Sequence, residues 1–284
     1  MEARPLLARC TFPVAQTEVV CAVSGGADSM ALLVLAVAAG CRVTAVHVDH
    51  GLRRGSADEA EVVRAAAERF GARFRAARAD VGPGPNLEAR ARAARYGVLP
   101  PDVLTGHTAD DQAETILLNL LRGAGLDGLA GMAPGRHPLL GLRRAETRAL
   151  CTAVGVTWVE DPSNADPRFR RNRVRAELLP LLESIAARDV VAVLVRQASL
   201  LRDEADLLDS LAAALDPTDA KVLAAAPVAL ARRAVRRWLT GDHPPDLATV
   251  ERVLAVARGE VRATEVGDGR RVARSSGRLR LEGG

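Results

Sequence analysis

Long apolar segments and paired cysteines are both missing from this sequence of 284 residues. The longest apolar run covers residues 30–41, whereas a membrane-spanning helix needs about 20 residues, and the first residues include no apolar stretch of signal-peptide length. The four cysteines form no CxxC pair, which argues against a zinc or iron–sulfur site and predicts free thiols in a reducing compartment. We therefore expect a cytoplasmic protein with no membrane partner.

Aromatic residues and lysines are also scarce. Aromatics make up 2% of the chain and Lys221 is the only lysine, so leucine, valine and alanine must fill the core and arginine carries most of the positive charge. A formal net charge of +4 suits a polyanionic partner, although GC-rich codon usage is the simpler explanation for the many arginines. So few aromatics argue against a surface that binds single-stranded nucleic acid by base stacking.

The first two thirds of the chain alternate between strand and helix patterns. Short runs with β-branched residues predict strands over residues 18–23, 42–48 and 103–105, and residues 136–140 are typical of a further short strand. Helical periodicity predicts helices over residues 28–39, 57–70, 86–96, 109–121 and 146–154. This alternation is typical of an open, mostly parallel α/β sheet with helices on both faces.

The pattern changes after about residue 180. Residues 181–258 carry helical periodicity interrupted by prolines, and residues 264–281 alternate polar and apolar residues around two glycine-containing turns. We therefore predict an α/β domain over residues 1–182 and a smaller helical domain over residues 183–284 that ends in a β-hairpin.

A glycine-rich loop joins the first strand to the next helix. Its residues are Ser24, Gly25, Gly26, Ala27, Asp28 and Ser29. Glycines let the backbone approach a bulky anion, and the helix N-terminus and the serine hydroxyls can donate hydrogen bonds to phosphate oxygens. Asp28 would repel phosphate, so it serves either as a helix N-cap or as a Mg²⁺ ligand. The loop lacks the lysine of a Walker A motif and is not a GxGxxG motif; a plain glycine turn capped by Asp28 is the alternative.

A second polar group opens the helix after the third strand. His107, Asp111 and Glu114 are spaced four and three apart, so they share one helix face. One imidazole and two carboxylates can bind either a metal ion or the ammonium groups of an amino acid, while first-turn acids are also favoured by the helix dipole. The VDHGLR segment, with Asp49, also follows a strand. The three motifs should therefore line one crevice.

The order of these motifs resembles the tRNA(Ile)-lysidine synthetase family of the PP-loop ATP pyrophosphatase superfamily. The matching segments are SGGADS at 24–29, VDHGLR at 48–53, TGHTADDQAET at 105–115, LRGAGLDGLAGM at 121–132, WVEDPSNAD at 158–166 and RNRVR at 171–175. The resemblance covers about residues 18–182, and the last hundred residues match loosely. Long family members carry a further C-terminal domain, and this chain is similar to the short form.

The resemblance implies an ATP-dependent ligase that joins L-lysine to C2 of the wobble cytidine of an isoleucine tRNA, through an adenylated cytidine, with release of AMP and pyrophosphate. It implies ATP binding by residues 24–29 and Arg92, Mg²⁺ binding by Asp28, and lysine binding by Asp111 and Glu114. His107 is the candidate base for the attacking amine. The second domain would bind tRNA, and the oligomeric state stays open, with a homodimer as one option.

Five arginines stand within eight residues near a predicted helix start. They are Arg168, Arg170, Arg171, Arg173 and Arg175. Positive charges there oppose the helix dipole, so helix stability does not explain them, whereas contact with tRNA phosphates does. Arg171 and Arg175 match the family's RNxxR pattern, and we expect at least one of them to face ATP. A second cluster, at residues 232–238, is as consistent with a solvated helix face as with RNA binding.

Two other functions compete with this assignment. A tRNA thiolase of the same superfamily would need catalytic or cluster-binding cysteines, which the cysteine spacing disfavours. A nucleotide-binding regulator without catalysis would need neither the helix face that carries His107, Asp111 and Glu114 nor the arginine cluster. The glycine-rich loop at 122–131 is either a mobile lid or a connecting loop.

Overall fold

The computed structural model describes residues 4–49, 51, 56–82, 84, 87–160, 166–241 and 243–283, with the backbone alone at 56–58, 87–89 and 92. The chain divides into two compact units, Met1–Ser199 and Leu200–Gly284. This division falls inside a helix, later in the chain than the domain boundary at residues 182–183, which stays a prediction.

The first unit is built on a parallel sheet with the strand order β3-β2-β1-β4. The strands are β1 (Glu18–Ala22), β2 (Arg42–Asp49), β3 (Arg73–Arg78) and β4 (Leu104–Thr105). Parallel pairing sets Glu18 opposite Arg42 and Cys21 opposite Leu104. All four strands therefore end at the same edge, where ligand crevices form in sheets of this kind.

Helices cover both faces of this sheet. Those of the first unit are α1 (Arg4–Leu7), α2 (Ala27–Ala38), α3 (Ser56–Arg69), α4 (Leu87–Gly97), α5 (Ala109–Leu121), α6 (Leu126–Leu129), α7 (Arg144–Ala153), α8 (Arg170–Arg173), α9 (Leu179–Ala186) and α10 (Val190–Ala213), which continues into the second unit. A π-helical turn, Val174–Leu178, lies between α8 and α9.

Alternate side chains of β1 enter two different cores, because successive residues of a strand point to opposite faces. Val19 and Cys21 pack with the apolar residues of α2, α3 and α7. Val20 and Ala22 pack with residues of α4 and of the segment before β4. The predicted open α/β sheet with helices on both faces is therefore confirmed.

Two local predictions differ from the structure. The strand predicted over residues 136–140 is wrong: Pro134–Arg136 forms a 3₁₀ turn, and further turns follow. Prolines at 134 and 138 lack the N–H that a strand ladder needs, so Leu139 is buried without pairing. The edge strand β3 was not predicted, since its sequence, RFRAAR, has no apolar run and is largely exposed.

The second unit packs helices against a small antiparallel sheet. Its elements after α10 are α11 (Ala220–Ala225), α12 (Val228–Leu239), α13 (Leu247–Arg258), β5 (Ala263–Gly267), β6 (Arg270–Ser275) and β7 (Arg278–Glu282). Instead of the predicted hairpin there are three strands in the order β5-β6-β7, because a second turn at Ser276 and Gly277 adds β7. Val235, Val253 and Val272 lie in the core of this unit.

Three of the four arginines of α12 are exposed, and Arg233 is half-buried and pairs with Asp209. Arg232 forms an ion pair with Glu251, and Arg236 and Arg237 are exposed. RNA binding at this cluster stays a prediction. None of the helices that the structure describes is long and apolar enough to cross a lipid bilayer.

Candidate active site

A cavity of about 700 Å³ opens at the carboxyl ends of β1, β2 and β4. Its apolar wall includes Val46, Val48 and Leu99. Its polar wall combines the loop after β1, the loop after β4, the first turn of α5 and the start of α7. Of the three segments predicted to line one crevice, those at 24–29 and 105–115 line this cavity. The third, VDHGLR, is represented by the end of the strand that precedes it.

The loop after β1 bends tightly around its own hydrogen bonds. The Ser24 N–H donates to Ser29 Oγ over 3.1 Å, and the Ser29 hydroxyl donates to the Gly26 carbonyl over 2.8 Å. Gly25 has φ +89°, a conformation that glycine adopts without strain. Gly26 is the N-cap of α2, and Asp28 lies inside its first turn. Asp28 is therefore not the helix cap, and that interpretation of the loop is wrong.

Asp28 is held by the start of α7. The Thr147 hydroxyl donates to Asp28 Oδ1, and Arg144 Nε donates to Asp28 Oδ2 over 3.3 Å. Burial is the main influence on this carboxyl, and it raises the pKa of Asp28 above its usual value. A half-buried carboxylate of this kind gains from a cation nearby, which makes Asp28 suited to hold a metal ion or to pair with an arginine.

The loop after β4 lies directly against the loop after β1. A Cβ atom at Gly106 would stand 2.6 Å from the Asp28 carbonyl oxygen, so only glycine fits there without moving the backbone. This close approach brings the residues that follow Gly106, at the start of α5, to the wall of the cavity.

The two carboxylate oxygens of Asp111 accept hydrogen bonds from different groups. Oδ2 accepts hydrogen bonds from the Thr108 N–H and from the Thr108 hydroxyl, each over 2.9 Å, at the start of α5. Oδ1 accepts from Arg144 Nη2 over 2.9 Å and from Arg171 Nη2 over 3.1 Å. Burial alone would raise the pKa of Asp111, but the guanidinium groups of Arg144 and Arg171 outweigh it and lower the pKa to about 2.

Glu114 is enclosed by arginines. Its side chain has no exposed surface. Oε2 accepts from Arg171 Nε over 2.6 Å, Oε1 accepts from Arg175 Nε over 2.7 Å, and Arg144 lies farther off, at 3.4 Å. Three carboxylates, those of Asp28, Asp111 and Glu114, thus share three guanidinium groups.

The arginine-rich segment therefore separates into two groups. Arg171 and Arg175 turn inward to the acidic residues of α5, and Arg175 also lines the cavity. Arg168 and Arg173 are exposed and pair with Asp166 and Glu177, close to them in the chain. Arg170 is exposed as well. Two of the five arginines thus bind the carboxylates of Asp111 and Glu114, and the other three are exposed.

Two histidines meet at the end of β4. Thr105 Oγ1 lies 2.7 Å from His107 Nδ1 and 2.6 Å from His137 Nδ1, and the two rings stand edge to face with centroids 4.8 Å apart. His107 lines the cavity. Since Nδ1 of His107 is engaged by Thr105, proton transfer by His107 would use Nε2.

Some predicted residues cannot be placed. His50, Arg53 and residues 161–165 lie outside the described residues, as does the side chain of Arg92, whose backbone belongs to α4. Asp49 ends β2, and its Oδ1 accepts a hydrogen bond from the Gly51 N–H over 2.8 Å. The loop at 122–131 is tied to α5 by a 2.8 Å hydrogen bond from Asn119 Nδ2 to the Gly128 carbonyl.

Comparison with known proteins identifies the family. Residues 3–182 match the PP-loop domain family. The tRNA(Ile)-lysidine synthase of Nocardia farcinica is 44% identical over 271 residues, which cover 88% of this chain and 85% of that protein. The enzyme of the same name from Mycobacterium leprae is 43% identical over 84% of this chain and 81% of its own length.

The chain belongs to the tRNA(Ile)-lysidine synthase family. The resemblance drawn from the sequence motifs is thereby confirmed. Among solved structures, the U34-tRNA thiolase NcsA from Methanococcus maripaludis with its [4Fe-4S] cluster matches with a TM-score of 0.55 at 17% identity, over 70% of this chain and 77% of that one. A similarity at this level shows a shared fold.

The cysteines of this family member do not suit thiolase chemistry. Cys21, Cys41 and Cys151 are buried and Cys10 is half-buried. Burial raises the pKa of Cys21 to about 12 and that of Cys151 to about 11, which disfavours the thiolate that acts as nucleophile or cluster ligand. Within the described residues, no group of three or more His, Cys, Asp or Glu side chains is placed to hold a metal ion.

Sequence analysis missed three residues of this site: Thr147 and Arg144 of α7 and His137 of the preceding turn. Arg144 follows another arginine, and nothing in the local pattern distinguishes the two. The one useful signal was the helical pattern over 146–154 after a short apolar run. It predicted a helix here, but it could not show that the first turn faces the cavity.

Proposed function

We propose that this chain catalyses the ATP-dependent ligation of L-lysine to C2 of the wobble cytidine of an isoleucine tRNA. Family membership carries the proposal, through 44% identity across 88% of the chain. The site supports it, because a phosphate-binding loop and the first turn of α5 line one cavity. ATP, which activates the cytidine, and lysine, which then attacks it, can therefore be held next to each other.

ATP is proposed to bind with its phosphates on residues 24–29. The loop opens the 12-residue helix α2, whose first N–H groups and positive dipole end favour anions. The hydroxyls of Ser24 and Ser29 add donors, and Arg144, Arg148 and Arg175 bring positive charge to the same cavity. The adenine ring would lie on the apolar wall formed by residues such as Val46 and Val48. Arg92 remains a proposed phosphate ligand.

Mg²⁺ is proposed to bind at Asp28. Magnesium is commonly held by one or two carboxylates together with phosphate oxygens and water, and Asp28 offers one half-buried carboxylate in the loop that lines the cavity. This single carboxylate therefore fits a Mg²⁺ ion that would be coordinated mainly by the phosphate oxygens of the nucleotide. When bound, Mg²⁺ supplies charge neutralisation at the phosphates.

The reaction is proposed to proceed in two steps. Cytidine O2 attacks the α-phosphorus of ATP, and the bond to pyrophosphate breaks. The neutral ε-amine of lysine then attacks C2, the bond from C2 to the AMP oxygen breaks, and the amine loses a proton. Nε2 of His107, which lines the cavity, is the proposed acceptor of that proton. The remaining chemistry is positioning and charge stabilisation.

Lysine and tRNA are proposed to use the two sets of charged residues around the first turn of α5. Asp111 and Glu114 recognise the ammonium groups of lysine by charge-assisted hydrogen bonds. The exposed arginines at 168, 170 and 173 bind tRNA phosphates, which positions the RNA without reading its sequence. Arg171 and Arg175, which turn inward, stay near ATP and lysine.

The test is pyrophosphate release and incorporation of labelled lysine with an isoleucine tRNA transcript. Pyrophosphate should be released when ATP and tRNA are present, and lysine should be incorporated when all three substrates are present. A transcript with uridine at the wobble position is the RNA control. Exposed Asp80→Asn is the control for Asp28→Asn, which should abolish both signals. Sulfur transfer to the tRNA, or ATP binding without any pyrophosphate release, would contradict the proposal.

A further inference from the structure

Arg144 connects the phosphate loop to the acidic residues of α5. Its Nε lies 3.3 Å from Asp28 Oδ2, and its Nη2 lies 2.9 Å from Asp111 Oδ1. The side chain lines the cavity. Its backbone N–H is anchored separately, by a 2.7 Å hydrogen bond to Asp110 Oδ2. The guanidinium can therefore move while the start of α7 stays in place.

The acidic residues have no vacant position for an ammonium group in this arrangement. Asp111 Oδ2 is taken by the two hydrogen bonds from Thr108, and Oδ1 is shared by Arg144 and Arg171. Glu114 is fully buried among its arginines. The three carboxylates already balance three guanidinium groups, so an added ammonium would be an uncompensated buried cation, which is costly. A lysine ammonium can bind Asp111 only if an arginine leaves.

Arg144 is the arginine best placed to leave. Arg171 and Arg175 are each fixed by Glu114 with a contact of 2.6–2.7 Å, whereas Arg144 holds Asp111 over 2.9 Å but reaches Glu114 only at 3.4 Å. Arg144 is also the one already beside Asp28. A polyphosphate bound to that loop can accept two parallel hydrogen bonds from the Arg144 guanidinium and carries more negative charge than a carboxylate. The single oxygen of Asp111 that Arg144 shares with Arg171 offers a weaker interaction.

We propose that Arg144 occupies the ammonium position at Asp111 until ATP binds and draws its side chain to the phosphates. This inference rests on the proposed function, because it assumes that ATP and lysine share the cavity. Arg144 then acts as a positioning residue that couples the two sites: lysine binds well only after the nucleotide. Couplings between two ligand sites are typically about 5- to 150-fold.

The coupling can be measured by calorimetric titration of L-lysine into the full chain. The titration is done with and without α,β-methylene-ATP and Mg²⁺, since this analogue resists cleavage between the α- and β-phosphates. The analogue should tighten lysine binding by wild type at least tenfold. Because coupling is reciprocal, lysine should tighten binding of the analogue by the same factor. That second titration needs no variant, so it holds even if a variant folds poorly.

Two variants identify the residue responsible. Arg144→Met should bind lysine without nucleotide about as tightly as wild type does with it, and the coupling should fall to less than threefold. Arg143→Met is the matched control: the neighbouring arginine pairs with Asp110 and Asp189 instead of Asp111, so the coupling should persist. Arg144→Lys keeps a charge and should keep part of the coupling.

Two results would overturn the inference: equal lysine affinity of wild type with and without the analogue, or full coupling in a folded Arg144→Met variant. Failure of the proposed function has a different signature. In that case wild type would bind no lysine even with the analogue and tRNA present, and no lysine would be incorporated.

Discussion

The substitution Glu114→Gln should strongly destabilise the first unit. The Glu114 side chain has no exposed surface and bonds to Arg171 and Arg175, with Arg144 near. Removing one partner of a buried ion pair costs about 3–5 kcal/mol, because the remaining charges stay buried without compensation. Since 1 kcal/mol shifts Tm by about 2–4 °C for chains of 150–250 residues, the expected fall is about 6–20 °C.

Glu177→Gln is the control for this measurement. Glu177 belongs to the π-helical turn between α8 and α9, is exposed, and pairs with Arg173 over 2.8 Å. Exposed ion pairs contribute little to stability because water and salt screen them, so its Tm should stay within experimental error of wild type. Thermal unfolding followed by circular dichroism compares the two variants. If both variants unfold at the wild-type temperature, the buried arginines around Glu114 do not need its negative charge for stability, and this prediction is wrong.

Acid should reveal the same network in the wild type. The pKa of Asp111 is held at about 2 in the folded chain, below about 3.9 in an unfolded one. A lowered carboxyl pKa contributes stability that is fully present above the unfolded value and is lost as pH falls through the folded value. The stability contributed by Asp111 should therefore disappear between about pH 4 and pH 2. Asp111→Asn should flatten that part of the stability curve.

Three further predictions concern activity. Asp28→Asn should abolish pyrophosphate release while lowering Tm less than Glu114→Gln does, because Asp28 is only half-buried and, among the described residues, pairs with Arg144 alone; a fall in Tm as large as that of Glu114→Gln would make its role structural. Arg170 and Arg173 replaced together by alanine should flatten the log–log salt dependence of tRNA binding by up to about 0.9 per lost phosphate contact, and an unchanged slope in filter binding would mark a solvated surface. Thr105→Val should slow lysine transfer because it removes the hydroxyl that contacts His107 Nδ1, whereas Thr105→Ser should keep the rate, and a defect shared by the two variants would point to packing instead.

The main architecture was predictable because it depends on local patterns. Glycine turns and β-branched runs identified β1, β2 and β4, and the predicted helix over 109–121 matches α5. The failures have physical causes. β3 is an edge strand whose exposed side chains carry no apolar alternation, and in the segment at 136–140 only residues 138–140 are buried, without strand pairing, because Pro138 lacks the N–H that a ladder needs.

The site was only partly predictable. Helix spacing placed His107, Asp111 and Glu114 on one face, but spacing says nothing of what covers that face. The side chains that cover this face, those of Arg144 and Arg171, come from elements far along the chain. The sequence alone does not distinguish an arginine that binds a buried carboxylate from one that is exposed to water. The division of the cluster at 168–175 into inward and outward arginines likewise depends on how α8 meets α5.

The contact between Gly106 and the Asp28 carbonyl means that the main chain sets the separation between the loop after β4 and the phosphate loop after β1. The phosphate loop and the start of α5 meet backbone to backbone, since a Cβ atom at Gly106 would come within 2.6 Å of that oxygen. Side chains around the cavity can therefore be exchanged to alter which amine is accepted without changing how far it stands from the nucleotide. Any side chain at position 106 would instead push the two loops apart, and a misplacement of reacting groups by about 1 Å can cost about a hundredfold in rate. Gly106 thus sets the spacing between the two loops that line the cavity.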